Sequence, residues 1–260
     1  MPLPPASASS TAVVTGASSG IGEQLARELA RRGHGVTLVA RREGRLRELA
    51  AELASAHGIR AEIIAADVSE AAGRDRIVAA LAERELAAEI LVNNAGIGTM
   101  GLFHTLAAER EVALVRLNVE AVVALCAALV PAMVARGHGA VLNLGSSLAF
   151  QPVPRQATYS ASKAFVLTFT EALRMDLAGT GVTATALCPG PVRTGFAGLI
   201  ESSPGMLFSS VEEVARAGVD GLARGRATVI PGAGNRGGAI LGRHLPRPLY
   251  LRLAPRLWPK

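Results

Sequence analysis

Short runs of β-branched and aliphatic residues alternate with longer amphipathic stretches along almost the whole chain. Such runs begin at Thr11, Val36, Ala61, Ile90, Ala140 and Val182, and a further one at Ala227. After the first, Leu25, Ala26, Leu29 and Ala30 recur at helical spacing among Glu23, Arg27, Glu28, Arg31 and Arg32. Strands separated by helical segments are the pattern of βαβ units, so an α/β fold is expected. No repeat at solenoid spacing and no long linker interrupts it, and 260 residues, 50% hydrophobic, suffice for one substantial core. Residues 1–260 are therefore expected to form a single domain. Residues 1–10, rich in Pro, Ser and Ala, lack a cationic start and an apolar stretch and read as a frayed terminus, not a signal peptide. The longest uncharged apolar segment, residues 121–135, is too short to span a bilayer and reads as a core or dimer helix.

The polar punctuation between these runs carries the chemistry. The first strand, residues 11–14, is followed at once by Thr15, Gly16, Ala17, Ser18, Ser19, Gly20, Ile21 and Gly22, and then by the first helix. Strand, glycine loop and helix in that order leave backbone N–H groups unpaired at a helix N-terminus, where they and the helix dipole bind phosphate. Glycines let the pyrophosphate approach the backbone, and the spacing here is G-x-x-x-G-x-G. A plain structural turn is the alternative for such a loop taken alone. The second strand, residues 35–40, ends at Ala40, where an NAD-preferring site would carry a carboxylate. Arg41 and Arg42 follow instead. A guanidinium binds phosphate bidentately, so Arg41 is the leading candidate partner for a 2′-phosphate and NADP(H) the expected cofactor. The other reading is an ordinary basic helix start, since Arg45 and Arg47 come next. The third run leads into Asp67 and Val68, candidates for adenine recognition, with Asp67 also placed to cap the helix starting near Glu70. Residues 90–92 run into Asn93, Asn94, Ala95 and Gly96, a polar turn expected to serve structure and cofactor together.

Tyr159 and Lys163 lie four residues apart, on one face of any helix, with Ser146 thirteen residues upstream of Tyr159. A phenol titrates near 10 and is a poor acid–base catalyst at neutral pH unless a cation favours the phenolate. Two unit charges about 4 Å apart interact by roughly 4 kcal/mol at an effective dielectric of 20, enough to bring the phenol toward neutrality. Ser146, rather than the adjacent Ser147, could then hydrogen-bond a substrate oxygen. Asn118 interrupts an otherwise apolar helical segment, where an amide costs energy unless it is hydrogen-bonded.

The combination of Thr15-Gly16-x-x-x-Gly20-Ile21-Gly22, Asn93-Asn94-Ala95-Gly96, Asn118, Ser146, Tyr159-x-x-x-Lys163 and Pro189-Gly190-Pro191-Val192-x-Thr194 resembles the short-chain dehydrogenase/reductase family over residues 11 to about 195. The resemblance implies a doubly wound, Rossmann-type parallel sheet of about seven strands with helices on both faces. It implies hydride transfer between a nicotinamide and a carbonyl or alcohol carbon. In it, Tyr159 is the general acid or base, Lys163 lowers its pKa and holds the nicotinamide ribose, and Ser146 orients the substrate oxygen. Asn118 supports a water linking Lys163 to solvent; the competing reading is a helix-kinking core amide. Pro189, Gly190, Val192 and Thr194 position the carboxamide and pyrophosphate. Residues 193–210 form a substrate lid, and the family's pairing of the helices bearing Asn118 and Tyr159 implies a homodimer or homotetramer.

Charge and the remaining residues narrow this picture. Of the net charge of +6, all resides in residues 236–260, where Arg236, Arg243, Arg247, Arg252, Arg256 and Lys260 meet no acid. No basic stripe interleaved with aromatics crosses the body, which counts against a nucleic-acid partner. Leu241, Leu245, Leu249, Leu253 and Leu257 recur every four residues in this basic tail. A membrane surface is one possible partner for it; a short helix over the substrate cleft or against another subunit is the other, with Pro246, Pro248, Pro255 and Pro259 breaking any long helix. The five histidines form no metal-spaced cluster, so no metal is expected, and Cys126 and Cys188 read as free buried thiols of a cytoplasmic protein. Phe196, Leu199, Ile200, Met206, Leu207 and Phe208 make the lid segment apolar, as Phe150, Pro152 and Val153 make the stretch after Ser146. A small hydrophobic ketone or its alcohol is the expected substrate. The alternatives are a catalytically silent dinucleotide-binding scaffold and a membrane-surface reductase of lipid-like substrates.

Overall fold

The computed structural model describes residues 3–192 and 208–257. Seven strands, β1 (Ser10–Thr15), β2 (Val36–Ala40), β3 (Ala61–Ala65), β4 (Ala87–Asn93), β5 (Gly139–Leu144), β6 (Val182–Leu187) and β7 (Thr228–Val229), form one sheet in the order β3-β2-β1-β4-β5-β6-β7. Every neighbouring pair is parallel. The inner strands carry apolar side chains on both faces, as a sheet covered by helices on both sides requires. On one face Leu25 and Leu29 of α1 (Gly20–Arg31), Leu46 and Leu53 of α2 (Glu43–His57), and Val214 and Leu222 of α7 (Val211–Ala223) pack into one cluster. On the other, Ile77 and Leu81 of α3 (Ala71–Glu83) join Leu125, Leu129 and Met133 of α5 (Ala121–Arg136). The expected doubly wound architecture is the one found.

The chain winds outward from β1 to β3 and then returns to place β4 on the other side of β1. Connections on the two sides of this switch point diverge and leave a crevice at the carboxyl ends of the strands. Asn94 sews its two walls together: its backbone N–H donates to Thr15 Oγ1 at 3.0 Å and its side-chain Nδ2 to Thr15 O at 2.9 Å.

Four elements differ in detail from the sequence expectations. The helix carrying Asn118 is longer than its apolar segment: α4 (Ala108–Val115), a π turn (Arg116–Glu120) and α5 run on as Ala108–Arg136, 29 residues, long and apolar enough by length and composition to cross a membrane. One side of it, through Val122, Leu125, Cys126, Leu129 and Met133, is nonetheless buried in the domain. Asp67 does not cap α3, whose cap position is Glu70; its Oδ1 accepts instead from Ser69 N at 3.0 Å and Ser69 Oγ at 2.7 Å. The strand expected over residues 227–230 shrinks to Thr228–Val229. The basic tail forms two helices, α8 (Ala233–His244) and α9 (Arg247–Leu257), the chain breaking at Leu245 and Pro246, with Pro248 in the first turn of α9, where no intrahelical donor is needed. Residues 193–207, most of the expected lid and including Thr194, lie outside the described residues. Their two flanks are tied by a parallel bridge between Val192 and Ser209.

Candidate active site

The glycine loop is shaped by close approach of backbone to backbone. Gly16 and Gly20 hold φ of +66° and +62°, which disfavours side chains, and a Cβ on Gly22 would stand 2.4 Å from Gly16 O. Asn94 braces the loop from beneath; a Cβ on Gly16 would stand 2.8 Å from its Nδ2. At the head of α1, Ser19 occupies the cap position without bonding the helix with its side chain. The first-turn N–H groups, from Gly20, Ile21 and Gly22, are therefore left for a ligand, which is what a pyrophosphate needs. The residues present fit a dinucleotide.

The two arginines after β2 part company. Arg42 folds back over the loop, Nη2 donating to Ser18 Oγ at 2.9 Å and to Ser19 Oγ at 2.7 Å. Arg41 extends into solvent, its side chain 77% exposed, with Nη1 3.5 Å from Asp67 Oδ2. The guanidinium placed on the loop is thus that of Arg42, although position alone favoured Arg41. Burial works against the Asp67 carboxylate, but the Ser69 hydrogen bonds and the Arg41 charge outweigh it and hold its pKa below the ordinary value. Val68 is a buried core side chain whose carbonyl accepts from Arg74 Nη1 at 3.0 Å.

Ser146, Tyr159, Lys163 and Asn118 converge beyond the ends of β4 and β5. Ser146 follows β5 and caps a short 3₁₀ turn (Ser147–Phe150), its Oγ accepting from Leu148 N at 3.1 Å. The Tyr159 hydroxyl is hydrogen-bonded with Ser146. Ser147 points its backbone elsewhere, donating to Pro189 O at 2.8 Å. Tyr159 and Lys163 share a face of α6 (Ala157–Asp176), the ammonium nitrogen 5.8 Å from the centre of the Tyr159 ring. Lys163 Nζ donates to Leu144 O at 2.8 Å. Asn118, 1% exposed, sits in the π turn; its Oδ1 accepts from Ile97 N at 3.0 Å, and its Nδ2 donates to Ile97 O at 2.9 Å and Ser162 Oγ at 3.2 Å. It thereby joins the loop after β4 to α6. Gly96 lies where a Cβ would come within 3.1 Å of Asn118 Oδ1 and 3.7 Å of Lys163 Nζ, so this turn must pass close to both.

The electrostatics of the pair depart from a simple charge argument. With protein groups around it, burial pushes the Tyr159 phenol up to about 12, against the hydrogen bond with Ser146. Burial also brings the Lys163 ammonium down to about 8. Desolvation dominates both shifts and disfavours both charged forms, so the phenol is not lowered as spacing alone suggested.

Asn93 was expected to serve structure from the polar turn, but its partners Asn143 and Thr170, like Ser162 and Asn235, escaped sequence reasoning. Asn93 Nδ2 donates to Asn143 Oδ1 at 2.9 Å, and Asn143 Nδ2 to Thr170 Oγ1 at 2.9 Å, a buried chain tying β4, β5 and α6 beneath the site. An Asn inside a buried strand was the available signal. Ser162, between Tyr159 and Lys163, accepts from Asn118 and donates to Tyr159 O at 2.7 Å. Asn235 of α8 crowds Gly190, where a Cβ would meet it at 2.2 Å. Among the described residues no group of His, Cys, Asp and Glu could hold a metal ion.

Fold and site together define a nucleotide-binding α/β protein with a Ser–Tyr–Lys cluster at its switch point. The family model for short chain dehydrogenases matches residues 10–204, and the chain belongs to that family. An uncharacterized oxidoreductase of Myxococcus xanthus is 36% identical over 254 residues, 95% of this chain and 97% of that protein. Among solved structures, a short-chain dehydrogenase from Sphingobium yanoikuyae in complex with NADPH superposes with a TM-score of 0.80 at 36% identity, covering 89% of this chain and 92% of that one. The bulky-bulky ketone specific alcohol dehydrogenase from Comamonas testosteroni gives 0.78 at 33% identity, over 90% and 91% of the two chains.

Proposed function

We propose that the protein is an NADP(H)-dependent oxidoreductase that interconverts a hydrophobic ketone and its secondary alcohol, working chiefly as a carbonyl reductase. The observation that carries this reading is the convergence of Ser146, Tyr159, Lys163 and Asn118 on one side of a crevice whose other side is the glycine loop. Gly16, Ser18, Ser19, Gly20, Ile21 and Gly22 would take the pyrophosphate, Arg42 with Ser18 and Ser19 the 2′-phosphate, and Asn94 to Gly96 the connection toward Lys163. A bound nicotinamide supplies the hydride in reduction and accepts it in oxidation. The chain's own residues manage the oxygen. Ser146 orients the carbonyl through its hydroxyl, and Tyr159 donates its phenolic proton as the oxygen becomes an alcohol. At neutral pH the phenol holds the proton that reduction consumes. The Lys163 ammonium returns a proton to Tyr159 and is itself reprotonated from solvent, Asn118 holding the Ile97 turn beside it. NADPH and ketone recognition in the solved relatives support the cofactor and substrate class.

A homodimer or homotetramer is the accompanying expectation, supported by the exposed Val112, Val115 and Val123 on the Asn118 helix and Phe165 on α6. Tyr250 and Ala254 of the basic tail pack on the domain, whereas Leu241, Leu249 and Leu251 stay exposed beside its arginines, so a membrane surface stays the alternative partner for that face.

Loss of NADPH absorbance with a panel of apolar ketones tests the activity. Tyr159→Phe should lower turnover by at least about a hundredfold while leaving NADPH binding within twofold. A protein that binds NADPH yet turns over no member of the panel would favour the silent scaffold.

A further inference from the structure

The loop that bears Ser146 and leads into Tyr159 is held from outside by the last two helices of the chain. Tyr250 of α9 is 5% exposed, and its hydroxyl donates to Pro152 O at 2.9 Å. Next to that bond α8 meets the same loop through the Gln151 side chain, whose Oε1 would stand 1.8 Å from a Cβ on Gly242. Ala239 of α8 and Ala254 of α9 are 3% and 4% exposed, small side chains that let the helices sit close to the domain. At its far end the loop is tied again, Gly101 N donating to Arg155 O at 2.8 Å. Arg155 holds a φ of +66°, a conformation that a non-glycine residue keeps when its surroundings impose it.

Between these ties run Phe150, Pro152 and Val153, an apolar stretch that begins four residues after Ser146 and ends six before Tyr159. Without the Tyr250 bond the Pro152 carbonyl would lose its tie to α9, and the wall could move away from the candidate hydroxyls. A phenylalanine at 250 would fill the same space but could not fix the register of helix on loop.

We propose that Tyr250 is a positioning residue: by holding the Pro152 carbonyl it fixes the wall at residues 150–153, and the C-terminal helices thereby set how bulky a ketone the site accepts. The inference rests on the carbonyl-reductase reading and deepens it by naming what selects the substrate's bulk.

The test compares wild type and Tyr250→Phe, both saturated with NADPH, on a methyl phenyl ketone and a diaryl ketone. The ratio of kcat/KM for the diaryl over the methyl ketone should rise by about fivefold, the factor one buried hydrogen bond corresponds to, through KM rather than kcat. NADPH affinity should stay within twofold. Gly242→Leu, too large for a rotation of the Gln151 side chain alone to absorb, should shift the ratio the same way and serves if Tyr250→Phe folds poorly. An unchanged or lowered ratio in both variants, with or without a lower melting temperature, marks a purely structural contact and overturns the proposal. A wild-type protein that binds NADPH but reduces neither ketone overturns the parent reading, and this one with it.

Discussion

Burial acts on Tyr159 and Lys163 in opposite senses on the pH scale and toward one result, an uncharged pair. Tyr159 is raised from 10 to about 12, so its contribution to stability is whole below pH 10 and is lost as pH rises through about 12. Lys163 is lowered from 10.5 to about 8, so its contribution is present above 10.5 and lost as pH falls through about 8. Cys126 and Cys188, both raised by burial from 9 to about 12, begin to cost stability above pH 9. The window in which Lys163 acts alone is thus narrow and lies just above pH 8. Between about pH 7.5 and 9 the urea midpoint of the cofactor-free protein should rise relative to that of Lys163→Met, which carries no ammonium to bury. Parallel midpoints in the two proteins would mean that Lys163 stays charged and solvated. The chain has two tyrosines, so Tyr250→Phe isolates Tyr159, whose tyrosinate absorbance should appear only as pH approaches about 12; half-ionisation near 10 would mean that burial does not raise it. The spacing that joins this pair was legible in the sequence. Its dielectric was not, because the enclosing groups come from β5, the loop after β4 and Cys188, distant in the chain.

At the scale of elements, the β1–loop–α1 unit and the end of β2 form one nucleotide-binding device, with Arg42 as the link between them. Exchange of Arg42 for Ala should raise the KM for NADPH by about tenfold and that for NADH by less than threefold, since it removes both a cation and the brace on Ser18 and Ser19. Exchange of Arg41, which extends into solvent and braces neither Ser18 nor Ser19, should matter less. Initial rates with each cofactor decide it, and equal effects of Arg42→Ala on both would deny it a role in phosphate selection. The strands, the glycine loop and the helix periods could all be read from local pattern. Which of two adjacent guanidiniums turns inward could not, because it depends on the backbone of Arg42 (φ −87°, ψ 85°) just before α2. Asn118 shows the same division. An amide amid aliphatic residues announced itself, whereas the π turn that seats it follows from bonds to Ile97 and Ser162, 21 and 44 residues away.

For the whole molecule, basic charge and exposed apolar surface meet on the tail, where Leu241, Leu249 and Leu251 are 64%, 45% and 53% exposed. The basic excess collects at the end of the chain, where α8 and α9 pack on the loop after Ser146, and Arg243 lies 3.6 Å from Glu171. The body is neutral and exposes apolar side chains of its own. Along the Asn118 helix Val112 is 51% and Val115 43% exposed, and on α6 Phe165 is 42% exposed, its ring stacked on Phe169 at 5.9 Å. Isolated exposed aliphatics need no explanation, but these sit on the two neighbouring helices that carry Asn118, Tyr159 and Lys163. A second copy set against that surface would bury them and stiffen the helices from behind, which a two-fold, self-complementary interface does with one patch. Val112→Glu combined with Phe165→Glu places like charges across such an interface and should convert a dimer or tetramer to a smaller species in sedimentation velocity. NADPH affinity should change by less than about threefold, because neither side chain belongs to the crevice. If the double variant sediments as the wild type does, assembly uses another face and these helices owe their order to the sheet alone.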